Sequence, residues 1–235
     1  MSIADNIACI RERIAAAARR AFRSPDDIAL MAVTKTFGPD AIRAAYSAGQ
    51  RLFGENRVQE FAAKFAALRD LPDAEFHMIG HLQTNKAAKA LEVFSAVDAV
   101  DSVHLAEKLN TAAEKLGKRV PVLIELNLGG EESKSGVAPV SQEFGALLES
   151  AARLQHLEFR GLMTIPPLTE DPEGARPYFR RLREIRDNIA RRNLPAIHLD
   201  TLSMGMSHDF EVAIEEGATC VRLGTAIFGE RPRNA

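Results

Sequence analysis

Short apolar runs alternate along this chain with longer stretches in which apolar residues recur at helical spacing. Eight runs rich in valine, isoleucine, leucine and phenylalanine predict β-strands at 28–35, 51–56, 75–80, 97–101, 120–128, 159–165, 197–204 and 219–224. Seven intervening stretches predict helices at 38–48, 56–69, 83–90, 103–117, 141–153, 173–192 and 207–216. A further amphipathic helix over 2–22 precedes the first strand.

Residues typical of helix ends support these boundaries. Side chains that can accept a hydrogen bond from free N–H groups precede three of the helices: Ser102, Ser141, and Ser207 with Asp209. Glycines that can close a last turn in the left-handed conformation follow three helices: Gly49, Gly117 and Gly217.

This alternation indicates an α/β fold. Eight strands separated by helices in 235 residues suit a (β/α)8 TIM barrel, which typically has about 250 residues. A doubly wound open sheet uses the same units, and periodicity alone does not exclude it. No interdomain linker stands out, so we expect a single domain over 1–235. The extra helix at 2–22 would lie outside the barrel or across its floor, and 230–235 would form a tail.

Charge and composition narrow the classes of function. Lysine and arginine number 30 and aspartate and glutamate 32, for a net charge of −2. This balance lacks the overall attraction that nucleic acids and anionic membranes exert, so we expect neither as a partner. No stretch resembles a signal peptide or a membrane span. Cys9 and Cys220 have no metal-site spacing and are expected to be reduced thiols in a cytoplasmic protein.

The residue with the clearest chemistry is Lys35, which closes the first predicted strand. Catalytic and binding groups of a TIM barrel lie at the carboxyl ends of its strands. Desolvation there lowers the pKa of a lysine and favours the neutral amine that Schiff-base chemistry requires. The alternative is a lysine whose ammonium reaches solvent at the rim.

The last two predicted strands each lead into a helix through a glycine, in SMGMS at 203–207 and RLGTAIFG at 222–229. Small residues and free N–H groups at such turns favour an anion, and barrels often bind phosphate between these two loops. Residues 225–228 are long enough for the short extra helix of such a site. Gly205 and Gly224 could instead serve only the tight turns.

Two further polar groups have competing interpretations. Arg222 would point into the barrel mouth, or it would form a structural ion pair with Glu55 or Asp101. His77 and His81 are four residues apart in sequence, but in a strand this spacing separates them by about 13 Å, so no metal site is expected.

Several motifs together resemble one family. They are AVTKTF around Lys35, FGENRVQE at 53–60, HMIGHLQTNKAAK at 77–89, SKSGV at 133–137, GLMTIPP at 161–167 and the block at 202–231 that contains SMGMS and RLGTAIFG. The chain is similar over nearly its whole length to the pyridoxal phosphate homeostasis proteins, which in turn are similar to the N-terminal barrel of alanine racemase.

The resemblance implies a fold-type III barrel that holds pyridoxal 5′-phosphate (PLP) as a Schiff base on Lys35. It implies that Arg222 faces the pyridine nitrogen and that Asn56 lies beside the ring. The phosphate is then expected on the following residues: Ser203, the backbone around Gly205 and Met206, Gly224 and Thr225.

The resemblance implies that the chain binds PLP, and individual residues indicate whether it could use PLP for catalysis. Arginine cannot accept a proton, so Arg222 would leave the ring nitrogen neutral and weaken PLP as an electron sink. A racemase of the resembled type needs a tyrosine from a second domain. This sequence ends at Ala235 after the predicted barrel, and Tyr46 and Tyr178 fall in predicted outer helices, so we expect no opposing base.

We therefore expect a monomeric carrier that buffers PLP and passes it to apo-enzymes, without efficient catalysis. One alternative is an amino-acid racemase that uses His81 or a loop residue as its second base. Another is a Schiff-base aldolase acting on a phosphorylated sugar. The loop Ser133–Val137 and the basic face Asn85–Lys89 could hold a second ligand or a docking site, but solvated surface is the expectation for both.

Overall fold

Parallel strands close into a barrel in the computed structural model, which describes residues 1–131 and 134–230. The strands of the described residues are β1 (Ala29–Val33), β2 (Leu52–Glu55), β3 (Glu75–Met78), β4 (Ala96–Val100), β5 (Val120–Leu126), β6 (Leu157–Thr164), β7 (Ile197–Ser203) and β8 (Cys220–Leu223). Each strand pairs with the next, and β8 returns to β1, with Ala29 beside Cys220. The predicted (β/α)8 barrel is confirmed, and the open sheet is wrong.

Helices follow the strands on the outside of the barrel. They are α1 (Ile3–Arg20), α2 (Pro39–Ser47), α3 (Val58–Phe65), α4 (Ala87–Val93), α5 (Val103–Lys115), α6 (Gln142–Ser150), α7 (Arg176–Ala190), α8 (Phe210–Glu215) and α9 (Thr225–Phe228). Short 3-10 turns at 66–68, 84–86 and 172–175 adjoin α3, α4 and α7, so three predicted helices are divided. No helix within 1–131 or 134–230 has the length and apolar character of a membrane span.

Two of the three predicted serine caps are present. The Ser102 hydroxyl accepts a hydrogen bond from the Leu105 N–H at 3.2 Å, and Ser141 accepts one from Phe144 at 3.1 Å. The three predicted glycines are also left-handed, with φ of 87° at Gly49, 62° at Gly117 and 102° at Gly217.

The predicted cap at Ser207 and Asp209 is wrong. The chain makes a turn over 207–209 before α8 begins at Phe210. This turn brings the Asp209 carboxylate close to Met206, whose N–H donates to it at 2.6 Å. The Ser207 hydroxyl accepts from the Ala226 N–H at 3.3 Å. Ser207 therefore ties the segments after β7 and β8 together, Asp209 closes a turn within the loop after β7, and neither side chain caps α8.

The N-terminal helix α1 packs outside the barrel against α2, α8 and α9. Its buried face carries Ile7, Ile10 and Ile14 at helical spacing. Asn6 donates from its side-chain amide to the Ile227 carbonyl of α9 at 2.8 Å. Of the two predicted positions for this helix, outside and floor, the outside is confirmed. The predicted tail at 230–235 lies outside the described residues after Glu230.

Two apolar clusters occupy the middle of the barrel. One contains Met31, Val33, Ile79 and Cys220, and the other contains Ala99, Leu123 and Met163. Cavities lie at both ends: one at the carboxyl ends of the strands, here called the mouth cavity, and one near their amino ends, here called the floor cavity. The mouth is the end at which TIM barrels bind their ligands.

Candidate functional site

The mouth cavity has a volume of about 490 Å³. Six of the eight residues predicted for the site line it: Lys35, Asn56, Met206, Arg222, Gly224 and Thr225. Apolar side chains of Val33, Ile79 and Ile165 form part of its wall. The cavity therefore combines a primary amine, a guanidinium and backbone groups of two glycine-containing turns against an apolar surface.

Lys35 lies on the turn that leaves β1. The Phe37 N–H donates to the Thr34 carbonyl at 2.9 Å and closes this turn. Lys64 of α3 binds the same turn from behind, because its ammonium donates to the carbonyls of Thr34 at 3.2 Å and Phe37 at 3.0 Å. The amine predicted to be reactive is thus carried by a segment whose backbone is fixed.

Arg222 of β8 is only 4% exposed. Its guanidinium donates to the Ser203 hydroxyl at 2.7 Å and to the Thr164 carbonyl at 2.8 Å. Both acceptors are neutral, and the fork geometry fixes the plane of the group. Burial lowers the pKa of Arg222, while the charges of nearby acidic groups oppose the shift.

The predicted alternative partners of Arg222 are bound elsewhere. Glu55 lies 2.6 Å from Lys64, and Asp101 lies 3.3 Å from His81. The interpretation of Arg222 as an ion-pair partner of either carboxylate is therefore wrong.

Ser203 and Gly205 lie behind the cavity wall. Ser203 is fully buried, and its hydroxyl accepts from Arg222. Gly205 has a φ of 93°, and a Cβ there would approach the Ala213 Cβ to 2.6 Å. A larger residue is therefore disfavoured both by backbone conformation and by the close approach of α8. The structure places both residues under the site, and their contact with phosphate stays a prediction.

Three residues that line the mouth cavity have free backbone N–H groups. Among the described residues, the N–H groups of Ser207, Gly224 and Thr225 have no hydrogen-bond acceptor. All three residues line the mouth cavity, and two of them are at the start of α9, the short helix predicted at 225–228. Free N–H groups that converge in this way favour an anion. The Met206 N–H differs, because it already donates to Asp209.

Sequence reasoning missed an acid beside the site. Glu125 of β5 is 3% exposed and accepts from the hydroxyl of Ser135, which lines the cavity, at 3.1 Å. Burial raises the pKa of Glu125 to about 7, although Ser135 and the charge of Arg222 lower it. The available signal was a single acidic residue inside the apolar run VPVLIELNL.

The side chains considered for a second base have different positions. His81 lines the cavity, but its side chain is 59% exposed and lies beside Asp101. Neither tyrosine of the chain lines the cavity: Tyr178 is on α7, and Tyr46 on α2 hydrogen-bonds to Asp73.

His77 lies at the other end of the barrel, on the floor cavity. Its Nδ1 is 3.1 Å from Asp98 Oδ1. Burial lowers the pKa of His77, but the carboxylates of Asp98 and Glu75 outweigh burial and raise it to about 9. His77 and His81 therefore share no site. Within the described ranges, no cluster of three histidine, cysteine, aspartate or glutamate residues could hold a metal ion.

Comparisons with known proteins agree with one another. The family model described as the N-terminal domain of alanine racemase matches residues 6–232. The chain is 47% identical over 231 residues to the pyridoxal phosphate homeostasis protein of Aquifex aeolicus, covering 98% of this chain and 99% of that protein. It is 43% identical over 234 residues to the protein of the same name from Pseudomonas aeruginosa, covering 100% of this chain and 98% of that protein.

A solved structure gives the same relationship. PipY of Synechococcus elongatus, determined with PLP bound, superposes on this chain with a TM-score of 0.86 and 39% sequence identity. The match covers 97% of this chain and 100% of that one.

Proposed function

The chain belongs to the family of the alanine racemase N-terminal domain and, within it, to the pyridoxal phosphate homeostasis proteins; from this premise we propose that it is a carrier of PLP. PLP would occupy the mouth cavity and be linked reversibly to the amine of Lys35. The observation that carries the proposal is that Lys35 and open backbone donors of Gly224 and Thr225 line one cavity.

The residues present fit this group. PLP has an aldehyde, an aromatic ring and a phosphate, and the cavity offers an amine, apolar walls and an anion site in turn. Lys35 follows β1 and Gly224 follows β8, and these strands are hydrogen-bonded neighbours. Arg222, also on β8, lines the same cavity. Asn56 follows β2 on the other side of Lys35 and can contact the ring.

PLP and the residues of the chain would supply different parts of the chemistry. When bound, PLP supplies a carbonyl carbon that reacts with a primary amine and a ring that can accept electrons. Lys35 must lose a proton to act as that amine. Arg222 donates to Ser203 and Thr164 and has no acceptor site for a ring-nitrogen proton. The ring would therefore stay a weak electron sink, which favours storage over catalysis.

The surroundings also support a carrier rather than an efficient enzyme. Neither tyrosine of the chain lines the cavity, and Leu168, one of the lining residues, is 87% exposed. We infer that the protein is a single-domain monomer over 1–235 that exchanges PLP with apo-enzymes. A reducing compartment, the cytoplasm, suits its two free cysteines, Cys9 and Cys220.

One observation favours a second candidate function. His81 lines the cavity with a carboxylate, Asp101, 3.3 Å from its Nδ1. This arrangement could make it a proton-transferring base, as an amino-acid racemase would need. A racemisation assay on the PLP-loaded protein separates the two functions, because measurable turnover that His81→Gln abolishes would favour the racemase.

The decisive experiment for binding is reductive labelling. Protein purified with PLP should absorb visible light, and borohydride should fix the label to Lys35 in peptide mapping. Lys35→Ala should lose the label, whereas Lys89→Ala, which alters an exposed lysine of α4, should keep it. Label on a different lysine, or none, would refute the proposal. A colourless protein that borohydride traps only with a phosphorylated sugar would point to the aldolase.

Transfer is tested with an apo-enzyme that regains activity on receiving PLP. The carrier proposal predicts that the loaded protein restores this activity and loses its own visible absorbance in proportion. Retention of PLP in the presence of excess apo-enzyme would contradict a carrier role while leaving binding intact.

A further inference from the structure

The turn that carries Lys35 is held by the part-buried ammonium group of Lys64. Lys64 Nζ donates to Glu55 Oε1 at 2.6 Å, to the Phe37 carbonyl at 3.0 Å and to the Thr34 carbonyl at 3.2 Å. The Thr34 hydroxyl donates to the same Glu55 oxygen at 2.7 Å. These four residues, Thr34, Phe37, Glu55 and Lys64, are called the turn clamp below.

The turn clamp is shielded from solvent. The Glu55 side chain is 0% exposed and that of Lys64 is 14% exposed. An exposed ion pair contributes little, but a buried one whose members also make hydrogen bonds resists the removal of either partner. Burial raises the pKa of Glu55, and the charge of Lys64 and its hydrogen bond act against that shift. The clamp therefore fixes geometry more firmly than a surface pair would.

The clamp acts on the two ends of one short segment. Lys64 binds the carbonyls of the residues at both ends, Thr34 and Phe37, and these two residues are also joined by a backbone hydrogen bond. The residues between them, Lys35 and Thr36, both line the mouth cavity. Holding the ends of a four-residue turn restricts the directions that the middle side chains can take.

We propose that Lys64 is a positioning residue for the PLP-binding lysine, and that the turn clamp sets the direction in which Lys35 enters the mouth cavity. The proposal rests on the proposed function, because it requires Lys35 to be the residue that links to PLP. The linking reaction joins the Lys35 nitrogen to the aldehyde carbon and releases one water molecule. Its rate depends on how often the amine is correctly oriented toward the bound aldehyde.

Lys64 itself is unsuited to the linking reaction. Its ammonium is engaged with three oxygen acceptors, and Lys64 is not among the residues that line the mouth cavity. The two lysines at this end of the barrel thus have separate roles: Lys35 reacts, and Lys64 orients it.

The variants must separate orientation from folding. Lys64→Met alone leaves Glu55 buried with an uncompensated charge, so it is paired with Glu55→Gln in a double variant that removes both charges. Lys64→Arg keeps the charge and some donors. Lys89→Met is the matched control, because Lys89 also pairs with a glutamate, Glu92, at 2.6 Å, but on the exposed surface of α4.

Three measurements follow each variant. The first is hydrogen exchange of the Phe37 amide in the protein without PLP, which reports whether the turn still holds. The second is the rate at which visible absorbance appears on mixing with PLP, as a function of PLP concentration. The third is borohydride labelling of Lys35 at saturating PLP, with thermal unfolding recorded alongside.

We expect the double variant to show faster exchange at Phe37 and a limiting linking rate lower by about tenfold or more, as displaced reacting groups usually cause. The PLP concentration that gives half of the limiting linking rate should change less than about twofold, because the anion donors at Gly224 and Thr225 are untouched. Lys64→Arg should recover part of the rate, and Lys89→Met should match the wild type.

A separate rescue test uses Lys64→Ala, which retains Glu55 and the two carbonyls. Methylammonium chloride should occupy the vacated oxygen cluster and restore part of the rate of borohydride labelling at Lys35, and sodium chloride at equal ionic strength should not. The label is scored by peptide mapping, because methylamine is itself a primary amine that links to free PLP. Equal rates in the two salts would count against the proposal.

The possible failures are distinguishable. If the wild type is not labelled at Lys35, the proposed function and this inference both fall. If the wild type is labelled at Lys35 and the double variant links PLP at the wild-type limiting rate, only the inference falls. A lower unfolding temperature with an unchanged limiting rate would likewise reduce the turn clamp to a stabilising contact and overturn the positioning role.

Discussion

Glu125→Gln should make the protein more stable at neutral and mildly alkaline pH. Glu125 is buried on β5, and its Oε1 accepts from the Ser135 hydroxyl at 3.1 Å. Its other oxygen, Oε2, has no hydrogen-bond partner among the described residues. An ionised carboxylate in this position is poorly solvated, so the folded protein favours the neutral acid.

The sign and size of the effect follow from the raised pKa. The folded state holds the Glu125 proton more tightly than the unfolded chain, so the resulting stabilisation is fully present below pH 4.5 and is lost as the pH rises through 7. The whole change of pKa between the unfolded and folded states, from 4.5 to about 7, corresponds to roughly 3 kcal/mol of unfolding free energy. Glutamine cannot ionise and keeps an oxygen for Ser135, so it avoids this loss.

The assay is urea unfolding of both proteins between pH 4.5 and 8. The two free energies of unfolding should be similar at the acid end and diverge as the pH rises, until the variant is more stable by up to about 3 kcal/mol at pH 8. Glu149→Gln, which removes an exposed carboxylate of α6, is the matched control and should follow the wild-type curve.

Two outcomes would refute this reasoning. A difference between wild type and variant that stays constant from pH 4.5 to 8 would mean that Glu125 does not titrate in this window. A variant less stable than the wild type at pH 8 would mean that the attraction between the Glu125 carboxylate and Arg222 exceeds the cost of burying the charge.

Three further predictions concern both ends of the barrel. The pKa of His77, raised from 6.5 to about 9, predicts a stabilisation that is fully present below pH 6.5 and is lost as the pH rises through 9. In urea unfolding, the double variant His77→Gln with Asp98→Asn should lack this loss. Parallel curves of unfolding free energy against pH for the two proteins would contradict the prediction. Thr225→Val should weaken PLP binding by about 0.5–3 kcal/mol through one lost hydrogen bond to a charged acceptor, and an unchanged dissociation constant would place the phosphate elsewhere. Arg222→Gln should shift the visible absorbance of bound PLP while the protein stays folded, and an identical spectrum would exclude contact with the ring.

The barrel could be predicted because its signals are local and repeated. Each strand is a short apolar run, and each of the confirmed caps, such as Ser102 and Ser141, is a side chain beside the helix that it caps. The rule that ligands bind at the carboxyl ends of the strands then directed attention to Lys35 and Arg222, which do line the mouth cavity.

What sequence reasoning missed depends on contacts between distant segments. Lys64 lies in the last turn of α3, in a stretch typical of any amphipathic helix, and only the closed barrel brings it to the turn after β1. Asp209 is a different case, because a local turn places its carboxylate on the N–H of Met206, three residues earlier, and not on the first turn of α8. Ser203 accepts a hydrogen bond from Arg222, a partner that periodicity cannot reveal, and its predicted contact with phosphate stays a prediction.

The closure of β8 onto β1 has a consequence for the time at which the site can form. Lys35, proposed to bind PLP, follows β1, and the proposed anion donors Gly224 and Thr225 follow β8, so the two parts of the proposed site meet only where β8 pairs with β1. Segments so far apart in sequence must close a long loop before their contacts form, so we expect the pairing of β8 with β1 to be a late event in folding. A partly synthesised chain would therefore lack part of the proposed PLP site. We expect PLP to bind only after the whole barrel has been synthesised and closed.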